Sequence, residues 1–215
     1  MKKACILGDY KDIKYHPLSV IEDALLGVFG HYAECEIITD YASLIPGDLD
    51  RYSLVVDYIS GWDNKGNDNA AAALLSYVAG GGQMLCLHNG VIKHSHHDLE
   101  GLYGGSMVMH PPYTRLAYRV HEHPITTGLA DFELDEEPYL LDFDFFTQKD
   151  VFLTYKYGLC DIPAGWTLSF GSGRVCCVTA GHNAHSFKSG GLRALLSKCT
   201  AWLCGMPEVF INENA

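Results

Sequence analysis

Short apolar runs closed by glycine or by a polar turn alternate with helical periodicity through the first ninety residues. Residues 3–8, KACILG, read as a buried strand. Pro17 then opens a helix. Ile21, Ala24, Leu25, Val28 and Phe29 follow the i, i+3, i+4, i+7, i+8 pattern, and Gly30 stops it. Proline suits a first helical turn because its missing N–H has no partner there anyway. Residues 33–38 give a second strand with Cys35 and Ile37 alternating, and residues 53–59, SLVVDYI, give a third. The loop GWDNKGNDN has turn chemistry. Residues 69–79, rich in alanine and carrying Leu74, Leu75 and Val78, predict a second helix. Gly80 to Gly82 end it and lead into a fourth strand, Gln83 to Leu87. This glycine run connects helix to strand and is no phosphate cradle, because no helix follows it.

The resulting order is β-α-β-β-α-β, with strands apolar enough to be buried on both faces. That pattern predicts an α/β fold, a mostly parallel sheet flanked by helices. After His88 the pattern changes. Residues 106–109, 115–120, 139–145, 151–155, 166–170 and 174–179 read as strands with few helices between them, an antiparallel extension in the middle third. A closing helix covers residues 189–204, with Leu192, Leu195, Leu196, Cys199, Trp202 and Leu203 on its apolar face. No repeat, linker or low-complexity stretch interrupts the 215 residues, so one domain over 1–215 is expected.

Composition narrows the function. Fifteen basic against 26 acidic residues give a net charge of −11, and no Lys/Arg cluster offsets it. A nucleic-acid surface is therefore not expected. The eight cysteines show no CxxC, and several lie inside apolar runs, where cysteine is a packed and reduced core residue. Cys176 and Cys177 are adjacent and face opposite sides of a strand. Two lysines lead directly into a strand and no apolar run spans a bilayer, so the expected location is cytoplasmic, with no membrane partner. Small neutral or polar ligands remain the natural partners, and a homo-oligomer stays open.

Eleven histidines are the chemical signal. His88 directly follows the fourth strand. His110 ends another apolar run, His182 follows Val175 to Gly181, and His16 lies between the first strand and its helix. Asp135 and Glu136 precede the strand that holds Tyr139. In open α/β sheets the ligand crevice lies outside the carboxyl ends of the strands. One histidine at such a position is ordinarily a satisfied loop or core residue, whereas three with an acidic pair point to a shared cleft. Imidazole and carboxylate together suit acid–base chemistry near neutral pH. They also suit a divalent metal such as zinc, assembled from distant loops because no HExxH spacing is present. His123, in HEHPITTGL, is placed either at the site or in a turn.

Other features have plainer readings. The tract from Lys93 to Asp98 is a solvated loop, because neighbours in a short loop seldom converge on one ion. Trp62, Trp166 and several tyrosines could stack on a sugar, but core packing is their ordinary role. No Gly-x-Ser-x-Gly elbow is present, and Cys86 lies inside its strand, where a thiol is inert.

The ordered set GGGQMLCLH ending at His88, GGSMVMHPP with His110, HEHPITTGL around His123, DEEPY with Glu136 and Tyr139, and AGH ending at His182 resembles the ThuA-like (trehalose utilisation) family. That resemblance implies a flavodoxin-like fold related to class I glutamine amidotransferases. It also implies a small-molecule carbohydrate substrate, in disaccharide or keto-sugar catabolism. The amidotransferase relatives carry a cysteine at the elbow after the glycine-rich strand. Here the turn reads Leu87-His88-Asn89-Gly90, which argues against glutaminase activity. The expected catalytic set is His88, Glu136, His110 and His182, with Tyr139, His16 and His123 binding substrate. Three functions fit this set: acid–base catalysis on a carbohydrate, metal-dependent hydrolysis by the same residues, and non-catalytic sugar binding.

Overall fold

The computed structural model describes residues 2–10, 15–60, 68–92 and 96–207. In chain order the elements are β1 (Lys3–Gly8), α1 (Glu22–Phe29), β2 (Glu34–Ile38), β3 (Leu54–Tyr58), α2 (Asp68–Ala79) and β4 (Gln83–Leu87). Then come α3 (Glu100–Tyr103), β5 (Gly105–Met109), β6 (Thr114–Val120), β7 (Phe132–Glu136) and β8 (Leu140–Phe143). The chain continues with β9 (Asp150–Tyr157), β10 (Cys160–Phe170), β11 (Gly173–Val178) and α4 (Gly190–Cys204).

Among the described residues, nine strands form one sheet in the order β2-β1-β3-β4-β11-β10-β9-β6-β7. The first five are parallel. The last four join them antiparallel. The parallel half has the flavodoxin-like order, with β11 as the fifth strand. The antiparallel extension lies in the chain between β4 and β11, as the change of pattern after His88 predicts. β5 and β8 form a separate antiparallel pair.

Strict alternation along the parallel strands feeds two apolar layers. Leu54, Val56 and Tyr58 of β3 pack in one layer with Leu25 and Phe29 of α1 and Leu195 of α4. Val55 turns to the other side, where Met84, Cys86 and Cys177 meet Leu74 of α2 and Trp166 of β10. Cys176 and Cys177 therefore do face opposite layers. Burying each such Leu side chain favours folding by about 1.5–3 kcal/mol, which is why these strands read as continuous apolar runs. Asp57 is the exception in β3. Its buried carboxylate accepts hydrogen bonds from the Tyr103 hydroxyl and from Ile59 N, which meets the need of a buried charge for partners.

The structure departs from the sequence-based expectation in three places. The first helix opens as a 3₁₀ turn, Leu18–Val20, capped by Pro17, before α1 begins. Residues 160–165 extend β10 well upstream of the expected 166–170. Pro163 disguises them, and it is accommodated because the register shifts between Pro163 and Gly165. β7 is a strand at residues to which the sequence reading assigned no element. The loop at Trp62 and residues 93–95 of the 93–98 tract lie outside the described residues; of the remainder His97 and Asp98 are exposed, as a solvated loop requires, but His96 is buried.

The turn after β4 is built tightly. A Cβ at Gly90 would stand 2.6 Å from the Asp57 carbonyl oxygen and 2.7 Å from Cys86 Sγ. Gly90→Ala is expected to destabilise the fold by about 1–3 kcal/mol through overpacking. Gly27→Ala, in α1 with nothing within 4 Å of the new methyl, should instead stabilise by about 0.5–1 kcal/mol through helix propensity. Chemical denaturation of the two variants checks both signs.

Candidate functional site

Three parallel strands deliver one histidine each to their carboxyl edge. His16 follows β1, His88 ends β4, and His182 follows β11. The imidazoles meet nitrogen to nitrogen. His16 Nε2 lies 3.0 Å from His182 Nδ1, His88 Nε2 lies 3.3 Å from His16 Nε2, and His182 Nδ1 lies 3.2 Å from His88 Nε2. His88 is fixed from behind by a 2.7 Å hydrogen bond between Nδ1 and the Thr179 carbonyl. A carbonyl only accepts, so Nδ1 carries the proton, and in the neutral ring Nε2 presents a lone pair to the cluster. The Tyr139 hydroxyl lies 2.8 Å from that Nε2, and its ring stacks on the imidazole at 4.6 Å.

Backbone strain is concentrated here. His16 (φ 54°) and His88 (φ 45°) are the non-glycine residues with positive φ among the described residues. For a residue with a Cβ that region costs about 1–3 kcal/mol, and such residues gather at functional sites. At His88 the strand breaks sharply into a 3₁₀ turn, His88–Val91. Gly181, at φ 123°, makes the matching turn before His182 with a conformation that glycine adopts freely.

The acidic partner is Glu137, a residue the sequence reading passed over in favour of Glu136. Glu137 Oε2 lies 3.5 Å from His182 Nδ1, 3.9 Å from His88 Nε2 and 4.0 Å from His16 Nε2. Its Oε1 takes a 2.9 Å contact from His110 Nδ1, on the half-exposed ring that ends β5. Glu136 points the other way. It is the last paired residue of β7, on the same face as Leu134, and it is fully buried. Its carboxylate accepts from the backbone N–H groups of Gly181 at 2.8 Å, of His182 at 3.2 Å and of Glu137 at 3.0 Å. Glu136 holds the site's frame and offers no oxygen to the imidazole cluster. The signal was present in the alternation Phe132-x-Leu134-x-Glu136, which turns Glu136 inward and frees Glu137 beyond the strand end.

Electrostatics divides the cluster. Burial pushes the His88 imidazole well below its ordinary pKa, and neighbouring His16 adds to this against the opposing Thr179 bond. Burial and His182 pull His16 down to about 4. Burial also acts to lower His182, but its hydrogen bond to Glu137 and the charge there outweigh it, so His182 is raised. For Glu137 burial raises the pKa, yet the His182 hydrogen bond and the histidine charges bring it below the carboxylate norm. Burial lifts Glu136, with the Gly181 and Glu137 N–H donors offsetting only part.

Other sequence-predicted residues separate from this centre. His123 caps the 3₁₀ turn Pro124–Thr126, its Nδ1 accepting from Ile125 N at 3.0 Å, and it packs on Phe152 and Trp202. The structure thus gives His123 the turn role and places it outside the histidine cluster. Trp166 is a core residue, donating its indole N–H to the Tyr103 carbonyl. Cys86 is fully buried. A cleft of about 200 Å³, walled by Tyr15, His16, Pro17, Tyr58, His182 and Asn183, opens beside the cluster. A larger cavity of about 830 Å³ lies elsewhere, between the 146–150 loop and β10, and touches none of these histidines. The smaller one is the cleft that the histidine cluster lines.

The family model for ThuA, trehalose utilisation, matches residues 26–203, most of the chain. The chain belongs to the ThuA family. No curated protein matches it. Among solved structures, a ThuA-like protein of Parabacteroides merdae superposes with a TM-score of 0.80 at 15% identity, over 95% of this chain and 91% of that one. A ThuA-like protein of Bacteroides uniformis gives 0.76 at 20% identity, over 94% and 91%. A cytoplasmic protein of Salmonella typhimurium gives 0.64 at 17% identity, over 94% and 96%. At these identities the likeness establishes the shared α/β fold. Within this ThuA chain, no described helix is long and apolar enough to cross a membrane.

The framing role of Glu136 is separable from the chemistry of Glu137. Glu136→Ala strips the acceptor from Gly181 N and His182 N and should lower stability by about 1–3 kcal/mol. Glu137→Gln, which keeps the side chain's shape and leaves the backbone N–H groups of Gly181 and His182 their acceptor, should change stability far less. Urea denaturation of both variants decides it, and equal losses would contradict this division.

Proposed function

We propose that this ThuA-family protein is an enzyme of carbohydrate catabolism that acts on a disaccharide or keto-sugar derivative at the His16, His88, His110, Glu137, His182 cluster. One observation carries the reading. Ligand-type atoms of His16, His88, Glu137 and His182 all lie within 4.8 Å of one another, beside a cleft at the carboxyl edge of the parallel strands. A core histidine is satisfied by one or two polar neighbours. A cluster of imidazole nitrogens and a carboxylate aimed at one another is the arrangement of a reacting centre.

The roles follow from position. Glu137 and His110 stand at the mouth, where His110 is about half exposed, and they move the proton. Ring N–H donors of the cluster and the Tyr139 hydroxyl hold and polarise the substrate oxygen, while His88 Nε2 offers only its lone pair. A base and an electrophile on one cleft suit proton transfer at a carbon or hydroxyl next to a carbonyl, the reactive position of a keto-sugar. The eight cysteines, none of them in a disulfide, and the cytoplasmic structural neighbour support a cytoplasmic setting. The fully buried Cys86 leaves no thiol at the elbow, which fits a reaction other than glutamine hydrolysis.

Proton exchange in deuterated water, followed by NMR on trehalose and on a 3-keto-disaccharide, tests the proposal. The wild-type protein should exchange or consume the keto-sugar. Glu137→Gln should slow this by about 10²–10⁴-fold, and His123→Ala, away from the cluster, should keep the wild-type rate. A sugar that binds but stays chemically unchanged would make the protein a binding module and overturn the reading.

A further inference from the structure

We infer that the His16, His88, His182 and Glu137 cluster is a binding site for one divalent transition-metal ion of the zinc class. The inference deepens the reading above, which assigns the same cluster to catalysis, by supplying the electrophile that polarises the substrate oxygen.

The argument begins with the nitrogen triangle. Its edges are 3.0, 3.2 and 3.3 Å. Ligands held at about 2.0–2.1 Å around a tetrahedral zinc ion stand about 3.3–3.4 Å apart. The three nitrogens are therefore already spaced as three corners of a metal's coordination shell. Hydrogen bonding among themselves accounts for this spacing poorly. His88 spends its proton on Thr179, so its Nε2 lone pair faces two further nitrogens and a hydroxyl at once. One lone pair cannot satisfy three close polar neighbours, whereas one cation satisfies every lone pair turned towards it.

The support behind His88 fits the same role, whereas His16 Nδ1 is buried without a hydrogen-bond partner. A metal-bound histidine ordinarily donates its other ring N–H to a carbonyl or carboxylate, which fixes the ring. His88 does this to the Thr179 carbonyl. Glu137 Oε2 stands on the fourth side at 3.5–4.0 Å, beyond the tetrahedral edge, so it borders the open fourth position, where its carboxylate adds charge complementary to the ion and can take a proton from a group bound there. His110 steadies its other oxygen at 2.9 Å. Three imidazoles and one carboxylate match the preference of zinc-class ions over calcium or magnesium, which favour oxygen. The backbone agrees too: the two strained histidines, His16 and His88, are both ligands in this set.

The test uses full-length protein purified without a histidine tag, stripped with a chelator and titrated with zinc and, separately, manganese by calorimetry. Cobalt(II) serves as a spectroscopic probe through its visible ligand-field bands. One ion per chain, a raised melting temperature and tetrahedral or five-coordinate cobalt bands are expected. His88→Ala and His182→Ala should weaken binding at least 100-fold, and Glu137→Gln by about 10–100-fold. His123→Ala should bind as wild type, and circular dichroism of each stripped variant separates lost binding from lost folding. Absence of saturable binding below millimolar metal, or binding unchanged in the three cluster variants, would overturn the inference. Binding is read without substrate. Turnover without metal would leave the catalytic reading standing alone, and metal bound without turnover would leave only this one.

Discussion

A single buried carboxylate ties the two halves of this molecule together at the point where they must meet. Glu136 ends β7 at the far edge of the antiparallel extension, and its oxygens take the N–H groups of Gly181 and His182 just after β11. Those N–H groups sit in a turn that has no sheet partner of its own. The bond gives them one and draws the 137–139 segment across the carboxyl edge of the parallel strands. Glu137 and Tyr139 reach the imidazoles because Glu136 holds the chain beside them. Charge-assisted hydrogen bonds of this kind are stronger than neutral ones, and the buried setting makes each one matter more.

The strained turns work with this clamp. The sharp exit from β4 into the 3₁₀ turn lifts the His88 ring to the strand edge. A thiol at such a turn could attack; an imidazole with its proton held by Thr179 can only offer a lone pair.

Much of the fold is legible in the sequence because its parallel strands are buried on both faces. Runs such as LVVDY and QMLCL, broken by Gly80 to Gly82, carry the pattern openly. The antiparallel extension is legible only in outline. Its strands are partly exposed, β10 contains Pro163, and β7 mixes Phe132 and Leu134 with three acidic residues. Periodicity in β7 is present but carried by few apolar positions, so it does not stand out as a strand. That single missed strand accounts for the choice of Glu136 over Glu137, since only a strand register tells which of two adjacent carboxylates faces inward. The histidines at the ends of β4 and β11 and in the loop after β1 were legible because burial and strand ends mark them. His123 was not separable by sequence, as a capping histidine and a binding one share the same local signature.

The topology also governs when the site comes into being. β4 and β11 are direct neighbours in the sheet, yet the entire antiparallel extension lies between them along the chain. His16 and His182 touch across 166 positions of sequence. Contacts of such long range close late in folding, after the loop entropy of everything between them has been overcome. During synthesis the nascent chain carries His16, His88 and His110 long before His182 emerges. The cluster is thus a property of the finished chain alone. A protein truncated anywhere before β11 lacks His182, and with it the site, and loses the core-packing helix α4 as well.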